Sequence, residues 1–309
     1  MNKIKTLINK SRVSGIRSFI REIKDYFLAR DGAKYTKTIL GKRYHHKLYM
    51  YDRLGYWPKI KNPRSFNEKI MYRKLYTDND LFSTVEDKWR VREYVAEKVG
   101  TDILPELYHV TDDPDTIPFD ELPKEYVIKP NHLSGGANLI ISEESSINVE
   151  EIKRQCTEWL NKTYGQKKEE YWYSKIDPKI LVEEYIKSDE YKAPIDYKFM
   201  IFSGEVKSIH VTYNRFDEKT TKRNFYDKNW NPIDVKLHFE QGKGVSKPPR
   251  LDEMVDIAEK LGEDFEHIRV DLYNPNESDI YFGEMTVAES SGGNPFVPQE
   301  YDFKLGSYW

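Results

Sequence analysis

Apolar residues recur along this chain with two periods, one near 3.6 and one of 2, and the changes of period mark out its elements. Ile4, Ile8, Ile16, Ile20, Ile23 and Phe27 stand at near-helical spacing among Lys and Arg. Residues 1–28 therefore predict a basic amphipathic helix, weakened at Gly15. After the turn-forming WPKIKNP, Ser65 and Glu68 have the spacing of a capping box that opens a helix. VEDKWRVREYVAEKV predicts another, starting between Thr84 and Asp87. Val85, Trp89, Ala96 and Val99 form its stripe, Lys88 lies beside it, and Gly100 ends it. Two more helices are expected over Val149–Leu160 and Val255–Leu261.

The period-2 stretches predict strands. In YVIKP, Val127 and Lys129 share a face opposite Tyr126 and Ile128, and Pro130 ends the run. ILVEEYI is an apolar run that closes on charge. In IDYKFMIFSGEV, Asp196, Lys198 and Met200 share a face, and residues 206–213 read as the antiparallel partner. RVDLYNPNESDIYFGEMT predicts two strands and a turn, with Arg269, Asp271 and Tyr273 on one face of the first. In the second, Ile280, Phe282, Glu284 and Thr286 share a side. The expected class is α+β, with Tyr126–Ser142 and Ile180–Tyr213 in one antiparallel sheet and Ile268–Ala288 in another lobe.

Composition narrows the function. The 309 residues carry 49 basic and 52 acidic side chains, a formal net charge of −3, so no global field points to nucleic acid. The lone cysteine, Cys156, excludes an internal disulfide framework, reads as a buried apolar side chain and fits a cytoplasmic protein. No apolar run approaches the roughly 20 residues of a membrane span. The basic stripe of residues 1–28 is expected to dock on the domain and only secondarily to meet an anionic membrane at its inner face.

Chemistry concentrates in a few places. Asp271 and Glu284, if they face one cleft, offer the hard oxygens that Mg²⁺ takes at phosphate sites; the alternative is a hairpin whose polar face is merely solvated. Ser134, Gly135 and Gly136 make a permissive turn whose N–H groups suit phosphate oxygens, although no Walker lysine follows and, taken alone, a plain Gly-Gly hairpin is the better reading. Arg215, Lys222 and Arg223 form a basic loop, either a solvated connection or a lid over a polyanion. The DDPD run at Asp112–Asp115 sits among prolines and reads as a turn.

Taken in order, NPRSFNEKI, EDKWRVREYV, VIKPNH, VEEYI, DYKF, RVDLY and FGEMT resemble the ATP-grasp ligases, and more closely their TupA-like branch, associated with bacterial surface polysaccharides. The resemblance covers about residues 60–306. It implies two α+β lobes clamping ATP: a helical extension over 1–80 and an ATP-grasp domain over 81–309, with a central lobe at 115–190 and a C-terminal lobe at 191–309. It also implies roles. Lys88 and Lys129 neutralise phosphates under the Ser134–Gly136 loop, adenine meets the backbone at Glu184, Tyr185 and Ile186 with Glu183 near its amino group, and Asp196 accepts from ribose. Lys198, Arg215 and Arg269 steady the transferred phosphoryl group, and Asp271, Glu284 and Thr286 hold Mg²⁺. Thr286 departs from the Asn found in many ATP-grasp proteins, and the Tyr-rich first 80 residues replace the usual N-terminal α/β lobe, which leaves acceptor binding open.

The expected activity is an ADP-forming carboxylate–amine ligase working through an acyl phosphate. Its expected substrates are a sugar-linked carboxylate and an amino acid or amino sugar, in capsule or other surface-polysaccharide biosynthesis. Two rivals stay open: a metal-dependent glycosyltransferase, which an Asp-x-Asp motif would favour, and a non-catalytic ATP-binding partner, which would dispense with Lys129, Arg269, Asp271 or Glu284.

Overall fold

The computed structural model describes residues 41–142, 148–188, 193–215 and 219–309, with side chains from residue 44. The amphipathic helix expected over 1–28 lies outside the described residues. The chain divides into two compact units, one running to Tyr76 and joined by Ser290–Ser307, the other Thr77–Glu289 with Tyr308–Trp309.

In the first unit, helices α1 (Gly41–Leu54) and α2 (Phe66–Tyr76) bury Met50, Leu54, Ile60 and Met71 together. The capping box is present and reciprocal: Glu68 N donates to Ser65 Oγ at 3.2 Å and Ser65 N to Glu68 Oε2 at 3.2 Å. Asp302, in the helix over Glu300–Tyr308, accepts from Asn67 N at 2.9 Å and Tyr56 Oη at 2.8 Å. The chain's C-terminal stretch is thereby tied to the start of α2.

The second unit opens with α3 (Asp80–Glu86) and α4 (Val91–Val99). The single helix expected here is broken between them. Asp87 turns extended, and its Oδ1 accepts from Trp89 N at 2.9 Å, Arg90 N at 3.3 Å and Asn131 Nδ2 at 3.0 Å. An aspartate that satisfies the amides two and three residues on competes directly with helix propagation. Trp89 is consequently 39% exposed and is not part of an apolar stripe. Gly100 does end α4, at φ +90°.

Strands β1 (Leu107–Thr111), β2 (Tyr126–Pro130), β3 (Leu139–Ile141) and β4 (Ile180–Glu184) form an antiparallel sheet in the order β1-β4-β2-β3. α5 (Val149–Leu160) lays Ile152, Cys156 and Trp159 on its Ile128, Ile180 and Val182 face. Each such buried aliphatic side chain contributes about 1.5–3 kcal/mol. Burial lifts the Cys156 thiol to about 11, as suits a core residue. DDPD folds as a turn: Asp113 Oδ1 accepts from Asp115 N at 3.0 Å.

The second sheet contains β5 (Asp196–Phe202), β6 (Glu205–Tyr213), β7 (Lys222–Tyr226), β8 (Pro232–Ile233), β9 (His267–Tyr273) and β10 (Tyr281–Thr286), ordered β10-β9-β5-β6-β7-β8 and antiparallel throughout. Asp196–Tyr213 thus pairs with the 267–286 strands and not with Tyr126–Ser142, contrary to the grouping drawn from sequence. The sheet break falls after Glu184. Lys222 and Arg223, expected in a loop, belong to β7. Helix α6 (Leu251–Gly262) covers one face through Leu251, Met254, Ala258 and Leu261, so closely that a Cβ on Gly262 would meet Ile201 Cγ2 at 2.7 Å. The other face carries Asp196, Lys198, Thr212, Arg223, Arg269, Asp271 and Glu284, since cross-strand partners point the same way.

Candidate functional site

The polar face gathers its charge on β9 and β10. Asp271 pairs directly with Glu284 and Arg269 with Thr286, but the register shifts after Asp271 so that Leu272 faces Phe282. Gly283 is the extra residue of this bulge. Phe282 is therefore moved off the face shared by Glu284 and Thr286, correcting the strict alternation expected from sequence. A side chain at Gly283 would meet Tyr273 Cε2 at 2.9 Å and Asp271 O at 3.0 Å.

Arg269 is the hub. Its Nε and Nη2 grip Asp271 at 2.6 and 2.7 Å, Nη2 also reaches Glu284 Oε1 at 2.6 Å, and Nη1 donates to Glu289. The planar fork suits this many carboxylates as no lysine would. Lys198 Nζ lies between Asp271 Oδ2 and Asp196 Oδ2, the latter at 2.6 Å. Arg215 Nη1 reaches Asp196 Oδ2 at 3.0 Å and stacks over Tyr273, 5.3 Å from the ring centroid.

Titration follows from these partners. Burial pushes Asp271 up to about 6, against the pull of Arg269 and Lys198. Burial also penalises Asp196, Glu284 and Glu289, but cations outweigh it and hold all three below the usual carboxylate range. Lys198 and Arg215 do so for Asp196, and Arg269 leads for the two glutamates. Burial opposes the charge on Arg269, yet Asp271, Glu289 and Glu284 keep it well above its ordinary value.

A cleft of about 420 Å³ opens between the two sheets, within the size range of small-ligand sites. Lys129, Gly136, Glu183, Glu184, Tyr185, Ile186 and Arg215 all line it. Lys129 sits on β2 opposite Leu181, and its Nζ pairs with Glu183 on β4, so Glu183 serves as the lysine's counter-ion. Lys88 occupies the turn between α3 and α4, its N–H on Asn131 O at 3.2 Å and its Nζ on Leu133 O. Burial draws its ammonium down, offset in part by Glu284. Ser134, Gly135 and Gly136 are exposed in the β2–β3 loop, the glycines at φ +85° and +81°. Asp196 is buried and is not among the residues that line the cleft; its Oδ1 has no partner among the described residues.

Lys129, Gly136, residues 183–186 and Arg215 thus share the cleft and Asp196, Lys198, Arg269, Asp271, Glu284 and Thr286 one sheet face, while Lys88, Ser134 and Gly135 are not among the lining residues; three more residues escaped sequence reasoning. Asn131 joins three segments through Asp87, Asp177 O and Lys179, and Glu289 closes the Arg269 cluster. Glu86, fully buried, accepts from Tyr173 Oη at 2.6 Å and from Val287 N at 2.8 Å, pinning the end of β10 to the turn that carries Lys88. Only the Asn of VIKPNH, just past a strand end, gave a signal. The donor set on β9 and β10 fits Mg²⁺: two carboxylates, plus the Thr286 hydroxyl 3.3 Å from Glu284 Oε1, leave the remaining positions to water and phosphate. Among the described residues no group of three or more His, Cys, Asp and Glu side chains forms a self-contained metal cage.

The family model described as TupA-like ATPgrasp matches residues 68–309. The chain belongs to the TupA-like ATP-grasp family. Its α+β architecture of antiparallel sheets preceded by helices is the ATP-grasp fold. No curated protein matches the chain in sequence. Among solved structures it is similar to a D-alanine–D-alanine ligase from Bacillus anthracis complexed with ATP, at 16% identity over 67% of this chain and 57% of the other, with a TM-score of 0.42. An N5-carboxyaminoimidazole synthetase from Staphylococcus aureus complexed with ADP shares 9% over 66% and 45%, TM-score 0.40. A D-cycloserine synthetase shares 11% over 74% and 70%, TM-score 0.42. The chain spans little more than half the length of the D-alanine–D-alanine ligase. Among the described residues no helix is long and apolar enough to cross a membrane.

Proposed function

We propose that this TupA-like ATP-grasp protein is an ATP- and Mg²⁺-dependent carboxylate–amine ligase. The observation that carries the reading is the juxtaposition of Arg269, Asp271, Glu284 and Lys198 on one sheet face, beside a cleft lined by Lys129 and the β4 strand end. The backbone after β4 at Glu184–Ile186 supplies the edge against which adenine hydrogen-bonds. The unpartnered Oδ1 of Asp196 is the acceptor for a ribose hydroxyl. Lys88 and Lys129 take the phosphates beneath the Ser134–Gly136 loop.

Asp271, Glu284 and Thr286 would hold the metal, which supplies charge neutralisation to the β and γ phosphates when bound. A substrate carboxylate oxygen attacks the γ-phosphorus, the bond to the bridging oxygen breaks, and ADP leaves. Lys198 and Arg269 balance the charge spread over the transferring group. The amine then attacks the acyl carbon, phosphate departs, and the amine's surplus proton passes to solvent. Arg269 steadies the oxyanion formed on the way. None of these steps needs a protein nucleophile, in keeping with a site made of cations and carboxylates.

The substrates we assign are a sugar-linked carboxylate and an amino acid or amino sugar, joined in capsule or other surface-polysaccharide biosynthesis at the cytoplasmic side of the membrane, with residues 1–28 available for peripheral contact. The test is hydroxylamine trapping. With ATP, Mg²⁺ and a panel of uronic acids, hydroxylamine in place of the amine should yield a hydroxamate with stoichiometric ADP. AMP as product, or sugar transfer without ATP cleavage, would overturn the reading.

A further inference from the structure

Among the described residues, Arg223 is the one strongly basic side chain on this face that the proposed chemistry leaves unused. It lies on β7 opposite Thr212 of β6, and its Nε donates to Thr212 Oγ1 at 3.0 Å. Its guanidinium stacks over Phe239, 5.2 Å from the ring centroid, while its own N–H is held by Glu240 O at 3.1 Å. The residue is 8% exposed, yet among the described residues no acceptor takes Nη1 or Nη2. Neither Nη is among the fully buried atoms that lack a partner, so the tip of the fork can be reached by a ligand from outside.

Its surroundings make it a directed group. Three strand spacings of about 4.8 Å, roughly 14 Å, separate the main chains of β7 and β9. Glu289 spans part of that gap: it accepts from Arg269 Nη1 and is the largest opposing charge felt by Arg223. No ion pair within 4.0 Å joins Arg223 to Glu289, so the fork stays uncommitted. His210, paired with Lys198 on one side and Phe225 on the other, is fully buried with neither ring nitrogen partnered among the described residues. Burial keeps it uncharged, so it adds no second cation to compete with the arginine for an incoming anion.

We propose that Arg223 is the docking fork for a non-reacting carboxylate of one of the two substrates, held by Nη1 and Nη2 while the reacting centre sits at Arg269 and Glu284. This rests on the ligase reading. The fixed Nε and the aromatic floor leave only the two Nη donors to meet a ligand end-on, a bidentate geometry that a carboxylate matches. At that remove from the reacting atoms Arg223 touches substrate in ground and transition states alike. Its loss should raise KM far more than it lowers kcat.

The test needs no turnover. Trifluoroacetate serves as the carboxylate probe, titrated at millimolar concentrations into the full chain and followed by fluorine line broadening, with Mg²⁺ and a β,γ-imido ATP analogue covering the phosphate-binding cations. Wild-type protein should bind the probe, and Arg223→Gln should weaken binding tenfold or more while analogue affinity stays within twofold. Thr212→Val keeps the charge but removes the Nε anchor and should weaken the probe about threefold; it decides the matter if Arg223→Gln does not fold. Absence of probe binding to wild type, or equal binding in the folded variants, overturns the proposal. Failure of the ATP analogue to bind would instead refute the ligase reading, and the fluorine titration without it would still read Arg223.

Discussion

Glu284→Gln separates a metal-holding carboxylate from a structural one. The Glu284 side chain is 39% exposed, with one bond to Arg269 Nη2 at 2.6 Å and one from Thr286 Oγ1 at 3.3 Å. Glutamine keeps an acceptor for both, so the stability loss should be about 1 kcal/mol, roughly 2–4 °C in Tm for a unit of this size. Removing a charge aimed at the transferring phosphoryl group should cut turnover about a hundred- to thousandfold. Asp271→Asn provides the contrast. Asp271 is 1% exposed and receives three charged donors from Arg269 and Lys198. Breaking that buried network should cost about 3–5 kcal/mol, roughly 6–20 °C. The assay is ADP release coupled to hydroxamate formation, with calorimetric melting of each variant. Glu284→Gln retaining activity within tenfold of wild type, or losing it only in step with Tm, would refute the assignment.

Two buried groups should give opposite slopes of stability against pH. Burial raises Glu86 from 4.5 to about 7, so its contribution is full below pH 4.5 and lost as pH rises through 7, about 3 kcal/mol in all; Glu86→Gln, which still accepts from Val287 N, should remove that fall in urea denaturation series from pH 4.5 to 8. Burial lowers His210 from 6.5 to about 3, so its contribution is present above pH 6.5 and lost toward pH 3, up to about 5 kcal/mol; His210→Phe should flatten the acid limb, and an unchanged limb would show the imidazole reaching water. Replacing Gly135 and Gly136 by alanine meets no steric contact but forces about 1–2 kcal/mol of left-handed strain per residue. Nucleotide KM should rise severalfold and Tm should fall by roughly 4–16 °C, and an unchanged KM in the folded variant would remove the loop from the site.

Much of this was legible locally. Strand faces at YVIKP and DYKFM and the capping box follow from spacing alone, because each is set by two or three neighbouring residues; the partnership of Asp271 with Glu284, left open by spacing, came from the family resemblance. What escaped depends on distant partners. Asp87 breaks a well-patterned helix because Asn131, 44 residues on, shares its carboxylate. Arg223 looked like loop because its strand is defined by β6 and by the uncharged floor of Phe239. The sheet to which Asp196–Tyr213 belongs was decided by pairing with β9, a register that hydrophobic alternation cannot report. The bulge at Gly283 reversed the face of Phe282, and only the glycine itself hinted at it.

The pairing of every central carboxylate with a resident cation has a kinetic consequence. Glu183 with Lys129, Asp196 with Lys198 and Arg215, and Asp271, Glu284 and Glu289 with Arg269 leave little unbalanced field to reach into solution. A diffusing anion then feels the site only at short range, and long-range acceleration of encounter, which requires unbalanced charge, is small. Arrival becomes an exchange of partners in which a carboxylate gives up one cation as a phosphate or metal takes its place. Association rates should accordingly respond only weakly to ionic strength.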